Sequence, residues 1–410
     1  MNKIHSFKIR NKNYKEFKQA GGKLLGSGGF GCVLSPHINC KKKKITESNL
    51  VSKVTILKLD DEDDMETLYN EIEISKLILK IDKEQKFLSP IIDYCEYDYN
   101  TKRNDIKNIN KSKMGSTLKY KSKSRPGSKK NKTKKCLINK NNKFLVINLI
   151  LKNSGRDLTY FISSKSDEHE KNVIKKNMNK IVYDLCQGLE MLHDNHIVHK
   201  DIKLNNICVL IKNNRPIAKH IDFGLSENLG NMKKSYSNVH HSGTPCYMSI
   251  DFIILQEIKY QGFKDILSNS KLKKILTHNL YRSIKNNLSS FSKKGLNKSF
   301  LSGKTLINKK SRKKINSKDY FIEHDDITYI VNLILKLYKN DLLLKEYFKK
   351  INGINTKMDV YSLGLVFFDL IYYFKIYDET LINLVKNMLE ITYINRFNII
   401  QCLSHPYNKN

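Results

Sequence analysis

The chain has 410 residues, of which 40% are hydrophobic and 28% are charged, and its formal net charge is +34 at pH 7. This length is enough for one large or two ordinary domains. The sequence lacks both the long uncharged apolar run of a membrane-spanning helix and the apolar core of a secretory signal. We therefore expect a cytoplasmic protein that is neither secreted nor membrane-bound.

The eight cysteines have irregular spacings and include no Cys-x-x-Cys pair. This pattern favours reduced, mostly buried thiols over a zinc site or a disulfide framework. Reduced thiols agree with the cytoplasmic location expected above.

Two segments carry most of the positive charge, which would otherwise point to nucleic acid as a partner. Residues 101–143 contain 16 Lys and Arg residues and one acidic residue, and residues 256–350 contain 22 and 8. The rest of the chain keeps a net charge of about +5, which is ordinary for an enzyme. The first segment has no apolar periodicity, and we predict that it is disordered.

A glycine-rich stretch, L-L-G-S-G-G-F-G-C-V, occupies residues 24–33. Gly26, Gly28 and Gly31 give the pattern G-x-G-x-x-G, which two classes of phosphate-binding loop share. A Rossmann loop would open a helix, whereas this loop is followed by Pro36, a polar turn and the apolar segment L-V-S-K-V-T-I-L. The sequence therefore predicts a strand, a glycine turn and two more strands, with backbone N–H groups able to approach phosphates.

A lysine on the third strand and a glutamate on the next helix form a candidate pair. Lys53 lies in V-S-K-V, and Lys58 in I-L-K-L is the alternative. The segment after the acidic turn D-D-E-D-D has apolar residues at helical spacing, which predicts a helix. Its E-I-E-I sequence supplies Glu71, with Glu73 as the alternative.

Three later segments have regular apolar patterns. Residues 87–99 and 144–151 each predict a strand, and the basic insertion 101–143 lies between them, where extra loop length has a modest entropic cost. Residues 172–196 have apolar positions at helical intervals and predict one amphipathic helix that faces a core.

The sequence I-V-H-K-D-I-K-L-N-N-I-C-V-L, residues 197–210, is the most informative stretch. Asp201, Lys203 and Asn206 place a carboxylate, an ammonium and a carboxamide on one loop between two apolar segments. Such a loop can orient a hydroxyl group, neutralise a phosphate and ligate a metal ion. Another candidate metal ligand, Asp222, opens a D-F-G sequence after a second strand.

These motifs, in this order, resemble those of the protein kinase family. H-K-D-I-K-L-N-N resembles the catalytic loop H-R-D-L-x-x-x-N, with Lys200 in place of arginine. H-S-G-T-P-C-Y-M-S-I-D, residues 241–251, resembles the segment that closes the activation loop. Asp359 and Tyr361 match the start of a long helix that in the family reads D-x-W-S-L-G. The resemblance implies an α+β, bilobal protein-kinase fold with a small β-rich N-lobe and a larger helical C-lobe.

The resemblance implies a basic lead-in over residues 1–19, followed by one kinase domain over 20–410. The N-lobe would cover about 20–152 and contain the first insertion, 101–143. The C-lobe would cover about 153–410 and contain the second insertion, 256–355. The second insertion is basic to about residue 318, and its later part predicts one or two helices. The connection before Thr380 is too short for the αG helix of the family. Asp251 replaces a family glutamate, and we predict that it pairs with Arg396.

The resemblance implies a serine/threonine protein kinase that uses ATP with Mg²⁺, or Mn²⁺ as the alternative ion. Lys53, fixed by Glu71 at nearly the family spacing, would hold the α- and β-phosphates. The glycine loop would cover the triphosphate with its own residues and their neighbours: Leu25, Gly26, Ser27, Gly28, Gly29, Phe30, Gly31 and Val33.

The remaining roles fall on the catalytic loop and on D-F-G. Asn206 and Asp222 would ligate the metal ion, Asp201 would accept or orient the proton of the substrate hydroxyl, and Lys203 would lie near the γ-phosphate. Lys203 together with Thr244 favours Ser/Thr substrates over Tyr.

Lys200 changes an expectation about regulation. The family arginine clamps a phosphorylated activation loop with two bonds, whereas lysine is a point charge. We therefore predict weak dependence on phosphorylation of the four candidate sites: Ser235, Tyr236, Ser237 and Ser242.

The arrangement of the insertions is also similar to that in serine/threonine kinases of giant (nucleocytoplasmic large) DNA viruses, which would place the protein in the host cytoplasm or the virion. The partners we expect are ATP and protein substrates, with no membrane, and the protein would be a monomer. An alternative function is a kinase-fold scaffold, or pseudokinase, that binds acidic proteins or nucleic acid through 101–143 and 256–318. Few aromatic residues lie there, so only weak electrostatic contact is expected.

Overall fold

The computed structural model describes the following residues: 23–28, 31–40, 47, 49–58, 62–99, 144–231, 243–244, 247–254, 269–278, 306–307, 314–315, 328, 331–332, 353–390 and 392–409. They belong to two compact units. The first unit comprises residues 1–69 and 91–153, and the second comprises residues 70–90 and 154–410. The lead-in, the insertion 101–143 and most of the insertion 256–355 lie outside the described residues, so the predictions about them stay predictions.

The first unit is built on a five-stranded antiparallel sheet with the strand order β1-β2-β3-β5-β4. Strands β3 and β5 pair along their whole lengths, and β5 contributes five buried apolar residues to the local core: Leu145, Val146, Ile147, Leu149 and Ile150. The three strands predicted around the glycine-rich stretch are confirmed as β1, β2 and β3. The strand bounds are β1 (Lys23–Gly28), β2 (Gly31–Ser35), β3 (Leu50–Lys58), β4 (Asp93–Tyr99) and β5 (Phe144–Lys152).

The fourth strand begins later than the sequence predicts, at Asp93 instead of residue 87. The carboxylate of Asp82 accepts hydrogen bonds from the backbone N–H groups of Lys86 (2.8 Å), Phe87 (2.9 Å) and Leu88 (2.9 Å). These bonds fold the backbone into a turn, because N–H groups that bind one carboxylate are not available to a strand partner. The apolar residues here are buried without being part of the predicted strand.

A disulfide bond joins Cys40 to Cys95, so the prediction of reduced thiols is wrong for this pair. Cys40 follows β2 and Cys95 lies on β4, and both contact the cluster of Leu50 and Ile150. The sheet brings the two cysteines together across 55 residues of sequence, a separation from which spacing alone indicates nothing. Among the other described cysteines, Cys186, Cys208 and Cys402 are free thiols.

The second unit is mainly helical. Helix α1 crosses into it from the first unit at Asn70. The helix bounds are α1 (Glu62–Ile81), α2 (Leu158–Phe161), α3 (Glu168–Lys176), α4 (Met178–Asp194), α5 (Ile354–Phe374), α6 (Glu379–Met388), α7 (Ile399–Ser404) and α8 (Pro406–Lys409). Within the described ranges, no helix is long and apolar enough to span a membrane.

Three small sheets accompany these helices in the second unit. One has the order β6-β8-β9, and the other two are single pairs, β7 with β10 and β11 with β12. The strand bounds are β6 (Arg156–Asp157), β7 (Ile197–Val198), β8 (Ile207–Lys212), β9 (Arg215–His220), β10 (Glu227–Asn228), β11 (Leu306–Ile307) and β12 (Lys314–Ile315). A β-rich first unit and a helical second unit confirm the α+β class.

The amphipathic segment predicted as one helix over 172–196 forms two helices, α3 and α4, which meet at Asn177. The φ and ψ angles of Asn177 are −109° and 30°, outside the helical region, and its side-chain amide donates to the carbonyl of Val173 (2.8 Å). A side chain that bonds the preceding turn in this way competes with the helical backbone. The apolar spacing continues across this break, so periodicity does not reveal it.

Helices α4 and α5 contribute more buried residues than any other described element to the hydrophobic cluster of the second unit. Helix α5 ends at Phe374, because the next residue, Lys375, has a left-handed backbone conformation (φ 51°). Asp378 then begins α6 by accepting hydrogen bonds from the backbone of Thr380 and Leu381. Since only residues 375–378 separate the two helices, the short connection predicted before Thr380 is confirmed.

Candidate active site

Three of the predicted nucleotide-binding residues form a row across the sheet of the first unit. Gly26 on β1 is the register partner of Val33 on β2, and Val33 is the partner of Lys53 on β3. Directly opposed residues on neighbouring strands share a face of the sheet. The row continues to Leu149 on β5.

The alternative lysine lies outside this row. Pairing between β2 and β3 ends at Val54, and Lys58 is opposed only by Phe144 at the end of β5. Leu25 lies at an irregularity in the β1–β2 register, and Ser27 and Gly28 continue β1 to the turn. Gly29 and Phe30, at the tip of the predicted loop, lie outside the described residues.

In the second unit, the buried carboxylate of Asp359 holds the backbone of the predicted catalytic loop. Its Oδ2 accepts from the N–H of His199 (2.7 Å) and lies 3.1 Å from Nε2 of His193, and its Oδ1 accepts from the N–H of Lys200 (2.8 Å). Lys200 has a left-handed backbone (φ 65°), which is unusual for a residue other than glycine. The bonds to Asp359 compensate this strain and fix the direction of the chain into Asp201.

Three polar side chains converge on the carboxylate of Asp201. Its Oδ2 accepts hydrogen bonds from Nζ of Lys203 (2.6 Å) and Nδ2 of Asn206 (2.9 Å), and its Oδ1 accepts one from the hydroxyl of Thr244 (2.6 Å). Lys203 also donates to the Thr244 hydroxyl (2.9 Å). The structure thus brings together a carboxylate, an ammonium, an amide and a hydroxyl group from residues that lie up to 43 positions apart in the sequence.

Gly243 explains how the segment of Thr244 approaches the loop so closely. A Cβ atom at Gly243 would lie 2.8 Å from the carbonyl oxygen of Lys200, and the φ angle of Gly243 is 116°. Both observations require glycine, because a side chain would clash and L-residues rarely adopt this backbone.

The two predicted metal ligands extend from one end of the β8–β9 hairpin. Ile207 pairs with His220 at that end, and the N–H of Ile221 donates to the carbonyl of Asn206 (3.0 Å). Asp222 follows directly, with a left-handed backbone (φ 67°). The hairpin therefore brings Asn206 and Asp222 close together in the fold.

The donor set at this end fits a hard cation. Both hydrogen bonds from the Asn206 amide to Asp201 use Nδ2, so the amide oxygen is the atom oriented for a metal ion. Asp222 adds a carboxylate. Mg²⁺ prefers such oxygen ligands and commonly takes only one or two from the protein, with water and phosphate oxygens completing its shell. Among the described residues no cluster of three or more His, Cys, Asp or Glu residues forms a closed metal site.

The segment after Asp222 is fixed by α1 and by the catalytic loop. The side-chain amide of Asn70 donates to the carbonyls of Gly224 (2.9 Å) and Ser226 (2.8 Å). The ring of Phe223 lies 5.2 Å from that of His199. Sequence reasoning missed Asn70, which carries no signal of its own beyond its place before Glu71.

Helix α1 distinguishes the two candidate glutamates. Glu71 is buried, with 5% of its surface exposed. Glu73 is exposed and pairs with Lys76 on the same helix (2.6 Å). Since Lys53 belongs to the first unit and Glu71 to the second, their pairing stays a prediction.

Lys200 has a partner that sequence reasoning missed. Its Nζ lies 3.2 Å from Oε2 of Glu227, and the Lys200 side chain is 7% exposed. Glu227 is placed there because β10 pairs with β7, with Glu227 opposite Val198. An acidic residue five positions after Asp222 was the only available signal.

The predicted pair of Asp251 and Arg396 is confirmed. Arg396 Nη2 lies 3.3 Å from Oδ1 of Asp251, and the two side chains are at most 1% exposed. The guanidinium also donates to the carbonyls of Glu390 (2.9 Å) and Lys357 (3.2 Å) and lies over the ring of Tyr361. A buried charge pair with this many bonds is well compensated.

A buried histidine packs behind the catalytic loop. The ring of His220 lies 5.8 Å from that of His199, and its Nε2 donates to the carbonyl of Leu185 (2.9 Å). Burial, reinforced by His199, lowers the pKa of His220 to about 3. His220 is therefore neutral at physiological pH and adds no charge next to the site.

A family model described as "Protein kinase domain" matches residues 20–408. The chain is 28% identical over 167 residues to "Eukaryotic translation initiation factor 2-alpha kinase 1" of Plasmodium falciparum (isolate 3D7), which covers 38% of this chain and 11% of that protein. It is 32% identical over 90 residues to "Serine/threonine-protein kinase SKM1" of Saccharomyces cerevisiae (strain ATCC 204508 / S288c), with coverages of 22% and 13%. It is 33% identical over 116 residues to "Serine/threonine-protein kinase CLA4" of Eremothecium gossypii, with coverages of 28% and 14%. The matched part thus spans 11% to 14% of the length of these relatives.

Proposed function

The chain belongs to the protein kinase family, and from this premise we propose that it transfers the terminal phosphoryl group of ATP to Ser and Thr hydroxyls of protein substrates. The observation that carries the proposal is the cluster around Asp201. Phosphoryl transfer asks a protein mainly to position the reactants and to neutralise charge. A carboxylate held by an ammonium, an amide and a hydroxyl group suits both tasks.

In the proposed reaction the substrate hydroxyl oxygen forms a bond to the γ-phosphorus, in line with the bond to the β–γ bridging oxygen, which breaks. Asp201 orients the hydroxyl and accepts its proton. Lys203 neutralises charge on the γ-phosphate, and Lys53 holds the α- and β-phosphates. Mg²⁺, or Mn²⁺ in its place, would be held by Asn206 and Asp222 and would neutralise the phosphate oxygens.

The preference for Ser and Thr over Tyr is supported by Thr244. Its hydroxyl donates a hydrogen bond to Asp201 (2.6 Å) and accepts one from Lys203 (2.9 Å). Thr244 therefore occupies one side of the pair formed by Asp201 and Lys203. The names of two of the relatives above, which are described as serine/threonine-protein kinases, agree with this preference.

A phosphotransfer assay with radiolabelled ATP and generic basic and acidic protein substrates tests the proposal. We expect incorporation with the unmodified chain and a loss of at least about a thousandfold with Asp201→Asn, because the base is replaced by an isosteric neutral group. Asp194→Asn is the matched control, since Asp194 is exposed at the end of α4, and it should keep full activity. Incorporation that survives Asp201→Asn undiminished would contradict the proposal.

Several finer statements belong to the same proposal. One kinase domain over 20–410, a monomeric state and a cytoplasmic location follow from the sequence interpretation, as does a relationship to kinases of giant DNA viruses. The alternative of a scaffold that binds acidic partners or nucleic acid concerns segments that lie mostly outside the described residues.

A further inference from the structure

The second unit contains a concave site of about 610 Å³, which we call the hairpin pocket. It lies where the turn of the β8–β9 hairpin meets helix α4 and the loop after α1. Its principal lining residues are Lys86, Lys180, Asp184, Lys212, Arg215 and Ile217. The volume lies within the range of small-ligand sites, and the four cations are the unusual feature.

One of these cations is already neutralised, and three remain. Lys180 donates to both oxygens of Asp184 at 2.8 Å, and the Asp184 carboxylate is almost fully buried. Lys86, Lys212 and Arg215 are exposed, and none of them forms an ion pair within the part of the chain that the structure describes. The Lys180–Asp184 pair therefore adds no net charge to the lining, which keeps three positive charges without an ion-pair partner among the described residues.

The hairpin turn fixes two of these charges in place. Asn213 and Asn214 form its two-residue loop and both have positive φ angles (50° and 60°), which is the geometry of a tight turn that matches the twist of the strands. Lys212 and Arg215 are directly paired on either side of it. Two long cationic side chains thus start from one rigid backbone position.

The pocket is remote from the catalytic loop of the same unit. The catalytic-loop residue Asn206 directly precedes β8, and the turn follows the end of this six-residue strand. A strand of that length spans roughly 20 Å at about 3.3 Å per residue. A ligand in the pocket would therefore leave the catalytic loop accessible.

We propose that the hairpin pocket binds a phosphorylated serine or threonine side chain within a protein segment. A phosphate monoester carries a charge of about −1.5 to −2 at neutral pH, which matches three cations in one pocket lining better than a single carboxylate does. The guanidinium of Arg215 can bind two phosphate oxygens at once, and lysines add point charges. Ile217 gives the pocket an apolar wall for the carbon atoms of the ligand.

A peptide is favoured over a nucleic acid because no aromatic ring is among the lining residues. Base stacking on aromatic side chains is the usual means by which proteins hold single-stranded nucleic acid. The binding requires no phosphotransfer, so the proposal stands apart from the proposed activity and can fail or succeed independently of it.

The test measures binding of fluorescent peptides to the full-length chain by anisotropy at physiological ionic strength, without ATP. The probes are a short neutral peptide with one phosphoserine, the same peptide with serine, and the same peptide with glutamate. Inorganic phosphate is added as a competitor, and a single-stranded RNA oligonucleotide is measured in parallel. The test variant is Lys212→Ala/Arg215→Ala, since both side chains are exposed in a turn; Lys180 is left intact because it neutralises the buried Asp184.

We expect the phosphoserine peptide to bind about tenfold more tightly than the glutamate peptide, with the double variant weakening it about tenfold, or about 1.4 kcal/mol. The matched control Lys175→Ala/Lys386→Ala, which removes two exposed lysines from the same unit, should change affinity less than twofold. A thermal unfolding midpoint equal to that of the unmodified chain verifies that the variant is folded. Phosphopeptide binding that the test variant leaves unchanged would overturn the proposal. RNA binding that the test variant reduces and the control variant does not would overturn it as well.

Discussion

At the scale of single residues, the site depends on how Lys200 is neutralised. A buried ammonium needs a counter-charge, because desolvation penalises it unless it is paired. Glu227 supplies that charge from within the chain, at 3.2 Å, and the bond joins the catalytic loop to the segment after Asp222. This observation supports the prediction that activity depends weakly on phosphorylation of the segment that follows.

Glu227→Gln tests this interpretation. We expect phosphotransfer to fall about tenfold, which corresponds to about 1.4 kcal/mol of barrier, because Lys200 loses its counter-charge and the loop its connection. The control Glu168→Gln removes an exposed glutamate that pairs with Lys171 and should have no effect.

A companion variant replaces all four candidate phosphorylation sites, Ser235, Tyr236, Ser237 and Ser242, with Ala. We expect it to keep most of its activity, since Glu227 already neutralises Lys200. A loss of more than about tenfold in this variant, or full activity of Glu227→Gln, contradicts the interpretation.

A buried carboxyl on α5 makes stability depend on pH. Burial raises the pKa of Asp369 to about 8, and the hydroxyl of Tyr247, which donates to it (3.3 Å), partly offsets this rise. Between about pH 4 and pH 8 the folded chain keeps a proton that the unfolded chain releases. Stability contributed by Asp369 is therefore present at low pH and is lost as pH rises toward 8.

Asp369→Asn should remove this dependence, because the amide keeps the hydrogen bond without a charge. The difference in the free energy of unfolding between the variant and the unmodified chain should grow in favour of the variant from pH 5 to pH 8, by at most about 1.4 kcal/mol per pH unit. Denaturant unfolding at several pH values measures it, and Asp194→Asn is the exposed control. A difference that does not change with pH contradicts the raised pKa.

At the scale of secondary-structure elements, a buried ion pair connects Asp251 with the loop that precedes α7. Arg396 bonds Asp251 and the carbonyls of Glu390 and Lys357, the last on α5. The N–H of Tyr393 donates to the same carboxylate (2.8 Å). These bonds position the loop between α6 and α7 against the start of α5.

Arg396→Met should destabilise the second unit by about 3–5 kcal/mol, because it leaves the Asp251 carboxylate buried without its partner. Asp251→Asn/Arg396→Met should recover much of that loss, since neither charge remains. Denaturant unfolding of both variants measures the coupling, with Arg156→Met as the control for an exposed arginine. A double variant as unstable as Arg396→Met alone is incompatible with this explanation.

Most elements were predictable from the sequence because apolar spacing and motif order reflect burial directly. Asp251 and Arg396 were found from their motif positions. The break at Asn177 and the late start of β4 depend instead on local side-chain bonds to the backbone, which apolar spacing does not register. The Cys40–Cys95 bond and the Glu227 contact depend on strand pairing between distant segments, which no short motif encodes.

At the scale of the whole molecule, the positive charge is separate from the candidate catalytic residues in sequence. The insertion 101–143 lies between β4 and β5, and the last residue of β4, Tyr99, is the direct register partner of the first residue of β5, Phe144. A short hairpin turn can therefore replace the insertion without moving either strand.

A chain in which a two-residue Asn-Gly turn replaces the residues between Tyr99 and Phe144 should fold and keep its phosphotransfer activity. Its low-salt affinity for single-stranded DNA and for acidic polypeptides should fall, because the insertion would provide part of the electrostatic contact and the basic segment 256–318 the rest. A neutral Gly/Ser segment of the original length is the matched control, and it should lower the affinity equally. Affinity that is unchanged in both variants excludes the insertion as an electrostatic binding segment.

The most direct test of the central claim is identification of the phosphorylated amino acids formed by the chain and by its Asp201→Asn variant on a mixed protein substrate. The cluster of Asp201, Lys203, Asn206 and Thr244 predicts phosphoserine and phosphothreonine with the unmodified chain and no product with the variant. Phosphotyrosine as the main product, or the same products from Asp201→Asn, would contradict the account.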